Sequence, residues 1–353
     1  MTAPKLAVVI VNYNGWPDVV GLVAGLAEAP EVQDGRCEVL VVDNASDGPV
    51  PPEFAQGWPG VRLLCRPDNG GFAAGVNAGW RATTAPWLLL LNPDVVAGPD
   101  FLSRVLARLE RLEHRPEGPP AVVGFGLRNA DGTRQASVGA EPSLWRSLRE
   151  PFIPRSRRKY QPGWRTRPGP VPWVTGACAL VDGRLLEALG GMDEDFFLYY
   201  EEVALCRSAW DQGRRVEYDP SVEVIHLRPL QSRAIAPKLR VITRHSKLLY
   251  FRKHLPAWQF EGMTWLVALE ARLRSLVARL RGRSEERSAW QTVGRLARAM
   301  RRGDPIRGRA VLAWAEAAVR LDAGSTPTGK LRAWARLRPR GRAPSSLRGG
   351  GEG

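Results

Sequence analysis

The sequence is poor in the residues that would tie it to an oxidising compartment, a structural metal or a bilayer core. Its 353 residues include four cysteines and four histidines. Cys37, Cys65, Cys178 and Cys206 lie far apart and form no CxxC pair, which argues against a structural zinc site. Cys37, Cys65 and Cys178 border or lie within apolar segments, so reduced, buried thiols of a cytosolic protein are expected. No uncharged apolar run reaches the roughly 18 residues of a spanning helix. The first apolar run, Leu6–Val11, is too short for the core of a secretory leader and lacks a small-residue cleavage site. Neither a Walker loop nor GxGxxG occurs.

Acidic residues are scarce as well, but only in one region. The net charge is +15, and residues 236–353 carry 26 Lys and Arg against 8 Asp and Glu. Residues 1–235 carry 25 against 28 and are close to neutral. A basic final third implies a polyanionic partner, with anionic lipid the natural candidate. Trp258, Trp265, Trp290, Trp314 and Trp334 lie among Leu and Ala at helical spacing. That spacing suits core or membrane-interface anchors better than base-stacking platforms, so nucleic acid is not expected as a partner.

The first 95 residues alternate strand and helix signals. Leu6–Val11 reads as a buried strand, broken by Asn12-Tyr-Asn-Gly15, and Trp16–Glu28 has helical spacing. Glu38–Val42 is a second strand closed by the turn formers Asp43–Gly48, and Val61–Cys65 is a third. Asn69-Gly-Gly-Phe-Ala-Ala-Gly-Val-Asn77 opens a helix to about Thr83, and Trp87–Leu91 is a fourth strand. Such alternation predicts an α/β fold with a doubly wound, mostly parallel sheet. Beyond it, residues 99–114 and 182–189 read as helices, Ala121–Leu127 as a strand, and Trp173–Val181 as a strand or turn. Val203–Gln212 reads as a helix, with short strands at Arg215–Tyr218 and Val222–His226. Residues 150–170, rich in Arg, Pro and Gly, suit an exposed, mobile loop. From residue 236 the pattern is helical, and Leu266, Leu269, Leu273, Leu276 and Leu280 interleave with arginines as an amphipathic helix. The expected division is 1–235 for the α/β domain, 236–322 for a basic, membrane-associating helical region, and 323–353 for a disordered tail.

Ligands of open α/β sheets bind beyond the carboxyl ends of the strands. Four loops meet there: Asn12–Gly15, Asp43-Asn44, Asn69–Asn77 and Asn92-Pro93-Asp94. Gly70, Gly71 and Gly75 allow close backbone approach, and amides at a helix start favour phosphate. Asp94 ends an uncharged strand, and His226 ends another apolar run. A hard divalent cation that also binds phosphate needs few protein ligands of these types. Glu201 and Glu202 follow Phe196-Phe-Leu-Tyr-Tyr200; an acid among apolar rings suits general-base work, while acids at a helix start are also ordinary dipole partners.

In this order, seven segments resemble the family-two inverting glycosyltransferases of the GT-A fold, in their bacterial rhamnosyltransferase-like branch. They are Val9–Gly15, Val41–Ser46, Asp68–Asn77, Leu90–Asp94, Trp173–Cys178, Gly190–Tyr199 and His226. The resemblance implies that Asp43 holds the pyrimidine of a nucleotide-diphosphate sugar, dTDP- or UDP-linked, with Asn12, Asn69, Gly71, Asn77 and Asn92 around the donor. It implies Asp94 and His226 as ligands of Mn²⁺ or Mg²⁺, and Trp173 and Gly176 in the wall near donor sugar and acceptor. Glu202 stands where the family places its catalytic base, with Glu201 as the fallback. A rhamnose-like sugar and a cell-envelope or lipid-linked glycan acceptor follow, at the inner face of the cell membrane. The motif departs from the family's Glu-Asp-Val-Asp-Leu-Cys at two positions, Glu202 and Ala204. The altered motif leaves open a second reading, a GT-A protein with weakened or no catalysis that binds glycan or an assembly partner.

Overall fold

The computed structural model describes residues 3–150, 153, 167–228 and 235–320. The main path of its ten-stranded sheet is built from β1 (Leu6–Asn12), β2 (Cys37–Asp43), β3 (Val61–Cys65), β4 (Trp87–Leu91), β5 (Val95–Val96), β6 (Val122–Arg128), β7 (Cys178–Asp182) and β8 (Val216–His226), with the two-residue strands Arg134–Gln135 and Gly169–Pro170 beside β6 and β8. The spatial order is β3-β2-β1-β4-β7-β6-β8-β5. The β3-β2-β1-β4 half is parallel throughout, whereas β7 runs antiparallel to β4 and β6, and β6 runs parallel to β8. β1, β4 and β7 are buried along their whole length. Continuous apolar runs are what strands covered on both faces require.

Alternate residues of each strand enter different apolar layers. Leu6, Val8, Ile10, Val39, Val41, Leu89 and Leu91 pack with helices α1 (Trp16–Ala27) and α3 (Phe101–Glu113). Val9, Val11, Leu40, Val42, Leu88 and Leu90 face the other way, toward α2 (Phe72–Arg81) and α5 (Gly183–Leu189), with the short α4 (Leu144–Arg149) at the periphery. The second layer continues into α6 (Glu201–Asp211), α7 (Pro237–His254), α8 (Ala257–Leu280), α9 (Ser284–Arg301) and α10 (Ala310–Arg320). The boundary expected at residue 235 abuts residues 229–234, which lie outside the described residues, as do most of the loop 150–170 and the expected tail 323–353 with Trp334. Beyond that boundary the helices share one apolar core with the sheet, through Val241, Leu248, Val293 and Ala318.

Two expectations change, and a third gains a direction. The two short strands at 215–218 and 222–226 are one strand, β8, whose pairing with β6 shifts register between Asp219 and Glu223. Pro220 lies in that irregular stretch, and a proline within a sheet is accommodated where a ladder hydrogen bond is already lost. Cys65, at the end of β3, is exposed, unlike Cys37, Cys178 and Cys206, and all four thiols are free. Burial pushes the Cys37 and Cys206 thiols up to about 12. The leucine stripe of α8 points away from the core: Leu269, Leu273, Leu276 and Leu280 are exposed, and Phe260, Met263, Val267 and Ala271 face inward instead.

The helical region has its own organising cluster. Trp290 of α9 is buried, and the guanidinium groups of Arg240, Arg244 and Arg274 lie 5.7, 5.4 and 5.2 Å from its ring centroid. Glu270 accepts from Arg244 at 3.0 and 2.8 Å and from Arg274 at 2.9 Å. Burial alone would raise the Glu270 carboxyl, but the two guanidinium groups outweigh it and hold the group at about 2.

Candidate active site

Beyond the carboxyl ends of β1, β2 and β4 opens a cleft of about 960 Å³. Its floor begins with a hydrogen-bonded frame. Asn12, the last residue of β1, is fully buried; its amide donates to Asp43 Oδ1 at 2.8 Å and to Ser46 Oγ at 3.1 Å. Asp43, the last residue of β2, also accepts from the Ser46 amide and hydroxyl. Ser46 in turn accepts from the Asn14 backbone amide at 2.8 Å. Asn12 and Asp43 therefore sit behind the wall and fix the loops, while Tyr13, Asn14 and Asn44 line the space itself.

The glycine-rich segment forms one side. Gly71 has φ 91°, and a β-carbon there would lie 2.1 Å from the carbonyl oxygen of Phe197, so the position requires glycine. The Phe72 amide donates to that same carbonyl at 3.0 Å, and the Asn69 side chain caps the Gly71 amide at 3.0 Å. Asn77 does not line the cleft. It is buried in α2, where it donates to Met192 O and Glu194 Oε1 and accepts from the Met192 amide. It clasps α2 to the loop that carries the acidic motif. Trp173 is also elsewhere: its indole donates to Ala140 O, and its ring lines a separate cleft with Tyr250 and Arg207. Gly176 and Ala177, just beyond it, line the main cleft.

Asp94 and His226 meet in the cleft although 131 residues separate them in the chain. β5 pairs antiparallel with the end of β8, placing Val95 opposite His226, and the Leu227 amide donates to Asp94 O at 2.9 Å. His226 Nε2 lies 3.4 Å from Asp94 Oδ1. Its Nδ1 lies 2.7 Å from Gln135 Oε1. The amide nitrogen of Gln135 donates to Asn129 Oδ1 and His226 O, both acceptors, which fixes the amide with its oxygen toward the ring. Nδ1 therefore carries the hydrogen. In the neutral ring Nε2 then presents a lone pair to a carboxylate, and two acceptors facing each other are what a cation between them satisfies. Asp94 and His226 fit a divalent cation with this donor set. Among the described residues no group of three or more His, Cys, Asp and Glu side chains converges, so the remaining ligands would come from phosphate and water.

Glu201 and Glu202 open α6, both buried and both lining the cleft. They follow Tyr199 and Tyr200, whose φ values of 67° and 71° are both left-handed. Two consecutive non-glycine residues in that region store strain, a recurrent feature of functional loops. Gly176 packs beside Glu202: a β-carbon on it would make ordinary contacts with the Phe72 ring at 3.5 Å and with Glu202 Cβ at 3.8 Å. Ala204, the second departure in the motif, is buried in the apolar layer behind the site and its amide completes the first helical turn to Tyr200 O.

Several lining groups lie outside the expected set. Arg228 pairs with Asp18 and Arg309 with Asp68, and all four residues border the cleft. Lys238 of α7 and Leu312, Ala315 and Glu316 of α10 complete the wall. The helical region is thus part of the site. Gln135 carried no signal in the sequence, because its role depends on a partner 91 residues away.

A crevice at the ends of parallel strands, lined by a carboxylate facing an imidazole and by two further acids, has the layout of a group-transferring enzyme. The sequence profile of glycosyl transferase family 2 matches residues 7–190, more than half of the chain, and the chain belongs to that family. It is a glycosyltransferase. It is 29% identical over 293 residues to the N-acetylglucosaminyl-diphospho-decaprenol L-rhamnosyltransferase of Mycobacterium tuberculosis, covering 76% of this chain and 91% of the relative. It is 24% identical over 237 residues to the low-salt glycan biosynthesis hexosyltransferase Agl10 of Haloferax volcanii, covering 64% of this chain and 68% of the relative. In fold it is similar to GalNAc-T7, solved with UDP, GalNAc and Mn²⁺, with a TM-score of 0.50 and 13% identity over 91% of this chain and 57% of that one. The fold is GT-A.

Proposed function

We propose that this chain is an inverting, divalent-metal-dependent transferase that moves a rhamnose-like sugar from a dTDP- or UDP-linked donor to a lipid-linked glycan acceptor. The observation that carries the proposal is the Asp94–His226 pair, held by the β5–β8 ladder in the same cleft as Glu201 and Glu202. Similarity to a rhamnosyltransferase whose acceptor is an N-acetylglucosaminyl-diphospho-decaprenol supports the sugar and acceptor class.

In this reading the nucleotide rests against Asn14, Asn44 and Asn69, whose loops the Asn12–Asp43 pair fixes from behind, with backbone close at Gly71. Asp94 and His226 would hold Mn²⁺ or Mg²⁺, and the ion would supply charge neutralisation to a diphosphate leaving group. Gln135 keeps the His226 hydrogen on Nδ1 and leaves Nε2 as the ligand atom. Glu202 takes the proton from the acceptor hydroxyl. That oxygen bonds to the anomeric carbon as the bond from that carbon to the diphosphate oxygen breaks, and the configuration inverts. Glu is one methylene longer than the Asp it replaces, so its carboxylate reaches further from the helix backbone.

The test is a thermal-shift screen of dTDP-rhamnose, UDP-glucose and UDP-galactofuranose with Mn²⁺, followed by transfer to a prenyl-diphospho-N-acetylglucosamine. A donor that binds the native state raises the melting temperature. Stabilisation by dTDP-rhamnose with transfer in Mn²⁺ and none in EDTA is expected. Equal transfer in EDTA rules out the metal role, and stabilisation by a UDP-hexose alone rules out the rhamnose-like donor.

A further inference from the structure

α8 is apolar on two opposite sides, and only one is covered. Phe260, Met263, Thr264, Val267, Ala271 and Ala278 are buried against the rest of the helical region. At about 100° per residue, Trp258, Trp265, Leu269, Leu273, Leu276 and Leu280 fall within an arc of about 80° on the other side. These six are between 53% and 78% exposed. Their stripe runs along some 33 Å of helix at about 1.5 Å per residue. Scattered apolar residues are ordinary on a protein surface, but a continuous stripe of this length marks a contact site.

We infer that this face of α8 docks in the plane of a bilayer surface that contains anionic lipid. Charge selects the occupant. Arg272 and Arg279 border one edge of the stripe and Arg281 follows its end; all three are exposed, and none forms an ion pair among the described residues. A second copy of the chain meeting this face would set these arginines against their equivalents, whereas anionic headgroups neutralise them. Long arginine side chains lie along an apolar surface while their heads reach phosphate, and tryptophan favours the same boundary. No described helix is long and apolar enough to cross a membrane, so α8 would lie on the surface and not span it. α7 and α10, packed in the same helical region, line the catalytic cleft. Docking through α8 would therefore hold the cleft near a lipid-borne acceptor, a benefit that rests on the acceptor proposed above, although the docking itself does not.

The experiment is co-sedimentation of the full chain with vesicles of phosphatidylcholine alone or of equimolar phosphatidylcholine and phosphatidylglycerol. Binding to the anionic vesicles, weakened by salt, is expected for the wild type. The triple variant Leu269→Ser/Leu273→Ser/Leu276→Ser, and separately Arg272→Glu/Arg279→Glu, should each weaken it at least tenfold with an unchanged circular-dichroism melting temperature. Recovery of the wild type in the supernatant with both vesicles overturns the proposal. So does equal binding of the arginine variant, which assigns attachment to another region, or a wild-type dimer in light scattering that the leucine variant dissociates without any vesicle binding. No donor or acceptor sugar enters the assay, so it stands or falls separately from the proposed transfer reaction.

Discussion

Two sets of four leucines have opposite fates. Leu88, Leu89, Leu90 and Leu91 of β4 are at most 2% exposed, whereas Leu269, Leu273, Leu276 and Leu280 of α8 are all more than half exposed. In the strand, successive side chains enter the two apolar layers on either face of the sheet, so every leucine finds a covered position. In the helix, the covered side is already taken by Phe260, Met263, Thr264, Val267, Ala271 and Ala278. Ala271 lies against Gly294 of α9, where a β-carbon would meet its methyl at 3.5 Å, and this small-residue contact brings the two helices together. A leucine at that position would force them apart. The α/β half thus uses apolar residues to fix a site, and the helical half uses some of them to cover the sheet while presenting others outward.

The largest effects should come from the acids at the strand and helix ends. Asp94→Ala is expected to lower donor turnover by about 10³-fold or more, because charge on the leaving diphosphate loses its stabilisation. Single-turnover kinetics in saturating Mn²⁺ measure it, and turnover within a few-fold of wild type would rule the role out. Glu202→Gln should lower transfer by about 10² to 10⁴ while donor affinity stays the same. If Glu201→Gln is the inactive variant and Glu202→Gln is not, the base is Glu201. Neither change should disturb vesicle binding by α8, and a loss there would erase the distinction between the two halves.

Asn77 sharpens the comparison from inside the α/β half. It was expected at the donor, yet its three hydrogen bonds all go to the Met192–Glu194 loop. Asn77→Ala should cost about 2–3 kcal/mol, since it removes these bonds and leaves the buried Met192 amide without its acceptor. Urea denaturation would show the loss. Donor affinity measured well below the melting point should change little; a loss of affinity without a loss of stability would return Asn77 to the donor site.

Much of this was legible in the sequence, and the reason differs by element. Continuous runs such as Trp87–Leu91 announce strands buried on both faces, and Asp94 stands at the end of one of them, so strand positions and the loops beyond them follow from local pattern. Residue type and family resemblance single out Asp94 and His226 as a pair. Their 3.4 Å approach depends on the β5–β8 ladder, a long-range pairing with no local signature. Gln135 and the α10 wall were invisible for the same reason. The leucine stripe of α8 was legible as a stripe but not as a direction, because periodicity identifies an apolar face without saying what meets it. Cys65 shows the same gap: it follows Leu63 and Leu64, which are partly buried, yet it is exposed at the end of the edge strand β3.

The smallest effect tests whether the helical half has stability of its own making. Glu270 titrates at about 2 against an ordinary value of 4.5, held down by Arg244 and Arg274 against its burial. A depressed carboxylate contributes stability that is fully present above its unfolded value and is lost as pH falls through the folded one. The contribution should therefore be constant near neutrality, begin to fade below pH 4.5 and be gone near pH 2. Its side chain is 28% exposed, which screens the pair, so Glu270→Gln should cost only about 1–2 kcal/mol at pH 7. Denaturant titrations of wild type and variant across this range should converge as the carboxylate protonates. A gap that persists unchanged to pH 2 would mean that packing around Trp290, and not the charge on Glu270, holds these helices together.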